Sequence, residues 1–191
     1  MEEIKKHLFT IDTALLAKRI VVRRFRENEG IKFQQLIQDN NTMIRDVFPA
    51  TIEACETQAS AEVFIRKKIA AWLLNEQYCF GIWDNQSAEM IGFIEIFSVD
   101  WRVPKAELAF FVDRDFKEKG LMTEALQVVI AFAFEQLKLE KLGLRVPVDS
   151  YAAQRLAKKC GFFREGDLRN EFRNESGALA DAMLFGLPKL S

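Results

Sequence analysis

Two patterns of hydrophobic positions occur along the chain, and each predicts one kind of secondary structure. Apolar residues three and four positions apart are typical of helices, whereas short apolar runs between turn residues are typical of strands. Polar residues at 39–41 predict a loop, Pro49 predicts a bend, and Ser60 predicts a helix N-cap. Helices are predicted at 27–38, 60–75, 120–137 and 152–159, and strands at 20–22, 78–83, 90–97, 106–112, 142–146, 163–173 and 179–187.

The order of these elements favours one mixed sheet in an α/β (α+β) fold. Consecutive strands between 78 and 112 precede a strand–helix–strand crossover, and two further strands end the chain. Consecutive strands usually pair as antiparallel neighbours, whereas a helical crossover joins parallel strands. We therefore expect a single domain over residues 1–191, with residues 1–18 as an N-terminal extension. Helices should cover both faces of a mostly antiparallel sheet of about seven strands.

Composition and charge exclude several other classes of protein. Apolar residues make up 49% of the 191 residues and charged residues 29%, which is typical of a soluble globular protein. The 27 basic and 28 acidic side chains leave a net charge of −1, which favours neither a nucleic-acid partner nor a membrane partner. The N-terminus does not resemble a signal peptide, and the most apolar run, at 128–134, is too short to cross a membrane.

The cysteines and the histidine predict neither a disulfide scaffold nor a metal site. Cys55, Cys79 and Cys160 are far apart and form no C-x-x-C pair, which favours a reducing compartment. His7 is the single histidine, so a histidine-based metal site or a Ser-His-Asp triad would depend on one residue near the terminus. We therefore expect a cytoplasmic protein without a bound metal.

The segment between strand 106–112 and helix 120–137 is a candidate anion site. Lys117, Lys119 and Gly120 lie in a short polar loop directly before the helix. A helix N-terminus presents unpaired N–H groups and about half a positive charge, which suits a phosphate or pyrophosphate. A glycine allows close approach or a positive φ. A plain strand-to-helix connector is the alternative, and neither the P-loop nor the dinucleotide-binding pattern is present.

Two features of the strands around this loop predict a gap in the sheet. Strand 106–112 is nearly all apolar, which predicts burial on both of its faces. Pro147 ends strand 142–146 and has no N–H group to donate to a neighbouring strand. The two strands are therefore expected to separate there and to leave backbone groups of 107–112 free to bind an amide-bearing ligand. An amide-rich arm that ends in a pyrophosphate describes coenzyme A.

These motifs resemble the GNAT superfamily of N-acetyltransferases, and within it the RimJ/RimL-like branch that acts on ribosomal-protein N-termini. The resemblance covers nearly the whole chain. It includes IVVRRF at 20–25, GFIEIF at 92–97, AELAFFVDRDFKEKGLMTEAL at 106–126, LRV at 144–146 and AAQRLAKKCGFFREG at 152–166. The family motif [Arg/Gln]-x-x-Gly-x-[Gly/Ala] corresponds here to Lys117-Glu118-Lys119-Gly120-Leu121-Met122. Lys117 replaces Arg or Gln, and Met122 in the second small position is common in this branch.

The resemblance implies acetyl-CoA as the cofactor and implies its contacts. Backbone groups of Phe111 and Val112, with Phe110 as a further candidate, would pair with the pantetheine arm. The N–H groups from Lys117 to Thr123 would hold the pyrophosphate. Arg155 would lie near the ribose or the adenine. The charge of Glu118 suits this site only if that side chain points to solvent.

The resemblance also suggests catalytic residues. An attacking α-amine has a pKa of about 7.7–8.0 and must lose a proton, which a carboxylate can accept directly or through water. Glu107 lies on the strand that should line the site, where many members of the family have a glutamate. The alternative role for Glu107 is structural, to order water or pair with a cation. Ser150 stands where the family often has Asn and would donate a proton through its hydroxyl, and Tyr151 and Cys160 are further candidates for this role. Ala157 stands where many members have Tyr, which leaves a dedicated general acid unassigned.

Three functions follow from this resemblance. The preferred one is acetyl transfer to the N-terminal α-amine of a protein, by direct attack in a ternary complex. The second is acetylation of a small amine such as a polyamine, an amino acid or an antibiotic, and Glu95, Asp100 and Glu107 are candidates for an acidic pocket that a polyamine would need. The third is a non-catalytic acyl-CoA sensor, because the family's Asn and Tyr are replaced. The final hairpin is a candidate contact for a homodimer.

Overall fold

An eight-stranded sheet runs through the part of the chain that the computed structural model describes, residues 14–174 and 176–189. Its strands are β1 (Ala14–Leu16), β2 (Ile20–Arg24), β3 (Tyr78–Asp84), β4 (Met90–Asp100), β5 (Lys105–Val112), β6 (Lys141–Pro147), β7 (Phe163–Arg173) and β8 (Leu179–Pro188). Their order across the sheet is β1-β2-β3-β4-β5-β6-β8-β7. β5 and β6 run parallel, and the other neighbouring pairs are antiparallel. The prediction of a mixed, mostly antiparallel sheet is confirmed.

β1 is the strand that the sequence pattern did not predict. It falls inside the predicted extension 1–18, and its 3 residues are too few to show a period. It pairs with β2 and brings the sheet to eight strands instead of about seven. Residues 1–13, which include His7, lie outside the described residues.

In the described residues, five α-helices lie in the chain segments that connect the strands. They are α1 (Gly30–Ile44), α2 (Pro49–Ala54), α3 (Gln58–Leu73), α4 (Leu121–Ala131) and α5 (Tyr151–Lys159). A short 3₁₀ helix at Arg114–Phe116 precedes α4, and a π-helical turn at Phe132–Gln136 continues it. Across residues 14–174 and 176–189, no helix combines the length and the apolar character that a membrane-crossing segment needs.

The core is divided by the sheet into two apolar layers. β3 shows the division, because Phe80 and Ile82 pack in the layer that contains α4, whereas Trp83 packs in the layer that contains α1 and α3. Phe93 on β4 lies 5.3 Å, centroid to centroid, from Phe33 of α1, which anchors the second layer. Alternating side chains of one strand thus hold helices on both faces, as the sequence predicts.

The polar run at 39–41 is helical, so the prediction of a loop there is wrong. α1 continues to Ile44 because its polar residues have partners. Asp39 accepts a hydrogen bond from Gln35 one turn earlier, at 2.9 Å. The Asn40 side chain, which is buried, donates to the backbone oxygen of Leu36, also at 2.9 Å. Polar residues in a row predict a loop only when their side chains lack such partners.

Two helix starts differ from the sequence predictions. Pro49 does not simply bend the chain; it is the first residue of α2, where its missing N–H costs nothing. The N-cap of α3 is Thr57 rather than Ser60. Ser60 is the third residue of the helix and completes a reciprocal capping box, because its N–H donates to Thr57 Oγ1 at 3.1 Å while its own hydroxyl accepts from the Thr57 N–H.

β5 and β6 pair over only part of their length. The parallel pairing ends at Leu108 and Leu144, although β5 continues along β4 as far as Val112. β6 also continues, and it stays paired with β8 as far as Pro147. The predicted gap in the sheet is therefore confirmed. It opens before Pro147 is reached, so the missing N–H of the proline is not its cause.

A methyl group at Gly30 should test the packing of α1 against α3. A Cβ there would lie 2.6 Å from the backbone of Glu62, which is closer than real Cβ contacts come. We expect Gly30→Ala to lower the free energy of unfolding by about 1–3 kcal/mol, as overpacked cores do. Gly166→Ala is the matched control, because nothing lies within 4 Å of its added Cβ. Urea unfolding of both variants gives the comparison, and equal stability would contradict the close contact.

Candidate active site

A cavity of about 500 Å³ lies where β5 and β6 separate. Its walls come from these two strands, the loop after β5, the first turns of α4 and α5, and the end of α1 with the α1–α2 loop. Many of the predicted cofactor residues line it: Phe110, Phe111, Val112, Lys117, Glu118, Gly120, Leu121, Met122, Thr123, Ser150 and Arg155. The lining does not include Glu107 or Lys119.

The β5 wall of the cavity is a strand edge. Phe110, Phe111 and Val112 pair with β4 on one side, and β6 has already left the other side. Backbone N–H and C=O groups along this edge can bind an extended amide chain as a further strand would. Ala109, Phe110 and Val112 are only half-buried, because they line the cavity. The prediction that this strand is buried on both faces is therefore wrong in its second half.

The loop after β5 has the backbone geometry of an anion site. Glu118 and Gly120 have left-handed φ angles of 59° and 78°, and Gly120 is the N-cap of α4. The N–H groups of the first turn of α4, at residues 121–123, have no partner within the helix. Together with the helix dipole they attract a negative group. A left-handed φ costs a residue with a Cβ about 1 kcal/mol, so Glu118 holds a strained position.

Three cations near this loop have different environments. Lys117 lines the cavity, whereas Lys119 Nζ lies 4.7 Å from the centroid of the Phe116 ring. Arg19, in the β1–β2 turn, donates from Nε to Glu124 Oε1 on α4 at 2.7 Å. Sequence reasoning missed Arg19, because 105 residues separate it from Glu124 and no local pattern joins them.

Ser150 and Arg155 belong to the wall that α5 contributes. Ser150 is the N-cap residue of α5, and its side chain makes no capping hydrogen bond, so its hydroxyl is not committed to the helix. Its N–H donates to the backbone oxygen of Pro147 at 3.0 Å, which fixes the turn between β6 and α5. Ala157 is fully buried in the core, so α5 offers no hydroxyl at that position.

Glu107 contacts the cavity wall through Arg145. Its Oε1 accepts a hydrogen bond from Arg145 Nη2 at 2.7 Å, and Arg145 itself lines the cavity. Arg145 Nη1 donates to Glu171 on β7. The hydrogen bond to Glu107, followed by the bond to Glu171, raises the pKa of the Arg145 guanidinium. Glu107 Oε2 is buried and has no hydrogen-bond partner among the described residues.

None of the three carboxylates considered for an acidic pocket lines the cavity. Glu95 Oε2 accepts hydrogen bonds from Lys68 Nζ at 3.1 Å and Gln77 Nε2 at 2.7 Å, on the face of the sheet that carries α1 and α3. Asp100 accepts from the side chain and the backbone of Arg102, which lowers its pKa. Each carboxylate, Glu107 included, therefore has its own cationic partner.

An apolar part of the cavity wall was missed by sequence reasoning. Met43 and Ile44 at the end of α1, with Val47 and Phe48 in the following loop, line the cavity beside β5. The Phe48 and Phe111 rings are 5.4 Å apart, centroid to centroid. The signal was present, because Ile44 continues the helical period of Phe33 and Ile37, but the polar run before it ended the predicted helix too early.

Comparisons with known proteins find N-acetyltransferases. The probable N-acetyltransferase YjcK of Bacillus subtilis is 31% identical over 100 residues, which cover 52% of this chain and 55% of that protein. The putative ribosomal N-acetyltransferase YdaF of the same species is 24% identical over 83% of this chain and 85% of its own length. The chain thus spans about half of YjcK but most of YdaF.

A solved structure and a second group of relatives extend this comparison. The structure of a putative ribosomal-protein-serine acetyltransferase from Vibrio cholerae has a TM-score of 0.76 and 26% identity, covering 94% of this chain and 99% of that one. The spermidine N(1)-acetyltransferase of Escherichia coli is 31% identical over 84 residues, or 44% of this chain and 45% of that protein.

The family comparison covers most of the fold. The model of the acetyltransferase (GNAT) domain matches residues 19–163, from the turn before β2 to the start of β7. The match includes the β5–β6 gap, the left-handed loop and the cavity-lining helices α1, α4 and α5. This confirms the resemblance seen in the sequence, and the chain belongs to the GNAT acetyltransferase family.

Proposed function

We propose that this chain transfers the acetyl group of acetyl-CoA to the N-terminal α-amine of a protein, by direct attack in a ternary complex. One observation carries the proposal: the free edge of β5 leads directly into the left-handed loop and the N-terminus of α4. Groups that bind amides are thus followed along the cavity by groups that bind a pyrophosphate. Acetyl-CoA has this order of groups, and when bound it supplies an acetyl thioester for an amine to attack.

The residues of the cavity fit acetyl-CoA in three parts. The backbone of Phe110, Phe111 and Val112 would pair with the pantetheine amides, since this edge lacks a strand partner on the cavity side. The N–H groups from 117 to 123, with the Lys117 ammonium, would hold the pyrophosphate. Arg155 on α5 would lie beside the adenosine part.

The charge of the cavity supports an acceptor with a single amine over a polyamine. Lys117, Arg145 and Arg155 are lining cations, and Glu118 is a lining carboxylate. A polyamine carries several positive charges and needs unpaired carboxylates around it. Glu95, Asp100 and Glu107 each have a cationic partner, so the acidic pocket considered for a polyamine is not assembled.

The relatives include both classes of acceptor. YdaF, whose name refers to ribosomal acetylation, aligns in sequence with 83% of this chain, and the spermidine acetyltransferase of Escherichia coli aligns with 44% of it. Solved structures of both classes cover at least 90% of this chain, so the extent of the alignments does not separate them. The charges of the cavity favour a protein α-amine as the acceptor that we propose, and a small amine is the second candidate.

Glu107 and Ser150 would move the protons. We assign Glu107 as the group that accepts the amine proton. Oε1 is held by Arg145, so Oε2 is the oxygen without a partner, and because Glu107 does not line the cavity the proton would reach it through water. Ser150 lines the cavity, and its uncommitted hydroxyl would donate a proton to the departing sulfur.

The two lysines of the loop should affect cofactor binding unequally. Lys117→Gln removes a cavity-lining charge, so we expect the Kd for coenzyme A to rise about three- to tenfold. Lys119→Gln makes the same change at a side chain that lies over Phe116 and outside the cavity lining. Isothermal titration calorimetry of both variants measures the difference. Equal effects would contradict the placement of the anion at this loop.

Replacement of Glu107 should lower the rate without weakening cofactor binding. We expect Glu107→Gln to reduce kcat about 10²-fold and to change its pH profile, because the amide cannot accept the proton. Glu171→Gln is the matched control, since it removes the other carboxylate bound to Arg145. Thiol release measured against pH on both variants tests this. A wild-type profile in Glu107→Gln would assign Glu107 the structural role.

A panel of amines tests the acceptor. Thiol release from acetyl-CoA would be measured with short peptides that have free α-amines, with the same peptides blocked at the N-terminus, and with spermidine. We expect turnover on the free peptides and its loss after blocking. Turnover on spermidine alone would replace the proposed acceptor with a polyamine. Thermal stabilisation by acetyl-CoA with no turnover on peptides, on ribosomal proteins or on spermidine would favour the sensor.

A further inference from the structure

Asn40 is a buried polar residue on a face of α1 that is otherwise apolar. It shares this face with Phe33, Leu36, Ile37 and Ile44, and its exposed fraction is 1%. A buried amide without hydrogen bonds would destabilise the fold, so such residues are kept where they have partners. The partners of Asn40 therefore indicate its role.

Two of its three hydrogen bonds leave the helix. Nδ2 donates to the Leu36 backbone oxygen at 2.9 Å, within α1, and to Asp113 Oδ2 at 3.0 Å. Oδ1 accepts from the backbone N–H of Arg114 at 2.9 Å. The other carboxylate oxygen of Asp113 caps the 3₁₀ helix by accepting from the Asp115 N–H at 2.8 Å. One amide side chain thus holds two consecutive residues at the start of the loop after β5.

A hydrogen bond to the sheet also holds the start of this loop. The backbone N–H of Asp113 donates to the backbone oxygen of Ile91, on β4, at 2.7 Å. The chain then passes through the 3₁₀ helix into the left-handed positions Glu118 and Gly120. Because the intervening residues are few, the position of Asp113 determines where the loop N–H groups lie relative to β5.

We infer that Asn40 and Asp113 form a clamp that positions the anion-binding loop, so that α1 controls cofactor affinity from outside the cavity. The inference rests on the proposed assignment of this loop to the pyrophosphate of coenzyme A. The loop includes a strained residue, Glu118, and binding N–H groups that must point in one direction. Order that is already present in the free protein does not have to be imposed on binding, and this raises affinity. Asn40 is a positioning residue, because it does not line the cavity.

An exchange of the two side chains tests the clamp. Asn40→Asp would place two carboxylate oxygens together where a donor now meets an acceptor. Asp113→Asn would instead oppose two amide donors, as long as its oxygen continues to cap Asp115. The double exchange Asn40→Asp/Asp113→Asn restores one donor and one acceptor in reversed order. It also keeps an acceptor for the Arg114 N–H, but it replaces the bond to Leu36 with a contact between two oxygens, so the melting temperature is expected to fall.

The readout is the Kd for coenzyme A, measured by calorimetry, together with the melting temperature of each variant. We expect the Kd to rise about tenfold in each single variant and to return to within about threefold of wild type in the double exchange. Gln35→Ala is the matched control, because it removes an exposed hydrogen bond to Asp39 on the same helix without touching the loop. It should leave the Kd unchanged.

The outcomes separate the clamp from a purely structural role. Folded Asn40→Asp and Asp113→Asn with the wild-type Kd would overturn the clamp, even if their melting temperatures fell. A double exchange that folds normally but binds as weakly as the single variants would overturn it too. Should Asn40→Asp not fold, Asp113→Ser breaks the same bond from the loop side while keeping an acceptor for Asp115. A wild-type chain that does not bind coenzyme A would refute the loop assignment itself.

Discussion

The separation of β5 from β6 is the constraint on which the rest of the structure depends. A strand edge inside a sheet leaves backbone N–H and C=O groups without partners, which is unfavourable unless water or a ligand satisfies them. The sheet keeps this gap because each strand has a second neighbour. β5 continues along β4 to Val112, and β6 continues along β8 to Pro147. The cavity and the free edge of β5 that lines it follow from that division.

A gap of this kind has to be supported from both faces of the sheet. On one face, α4 packs into the core with Leu126 and Val129, and Glu124 near its start is held by Arg19 from the β1–β2 turn. On the other face, α1 packs against Phe93 and reaches the loop through Asn40. The loop that follows β5 is thus tied to elements that are distant in sequence. These contacts hold the left-handed backbone positions of the loop in place despite their strain.

Most strands could be predicted from the sequence, whereas side-chain contacts between residues distant in the sequence could not. Runs such as 78–83 and 106–112 have a local signal, because apolar residues fill consecutive strand positions. The helical character of 39–41 had only a weak signal, the period that Ile44 continues, and one partner of the buried Asn40 lies 73 positions away. The two loop lysines look equivalent in the sequence, and only the fold separates Lys117 in the cavity from Lys119 over Phe116. Hydrophobic periodicity in one sequence indicates secondary structure, but it does not indicate which side chains contact each other in the fold.

The ion pairs of Arg145 show how contacts between residues distant in the sequence form the candidate active site. Arg145 binds Glu107 and Glu171, which are 38 and 26 residues away, and both bonds raise its pKa. One guanidinium beside the cavity is thus shared by two carboxylates. Glu107 Oε1 is fixed by Arg145, and Oε2 has no other partner among the described residues. The ion pair that holds this carboxylate thus fixes where its second oxygen lies, and in the role proposed for Glu107 that oxygen would accept the proton.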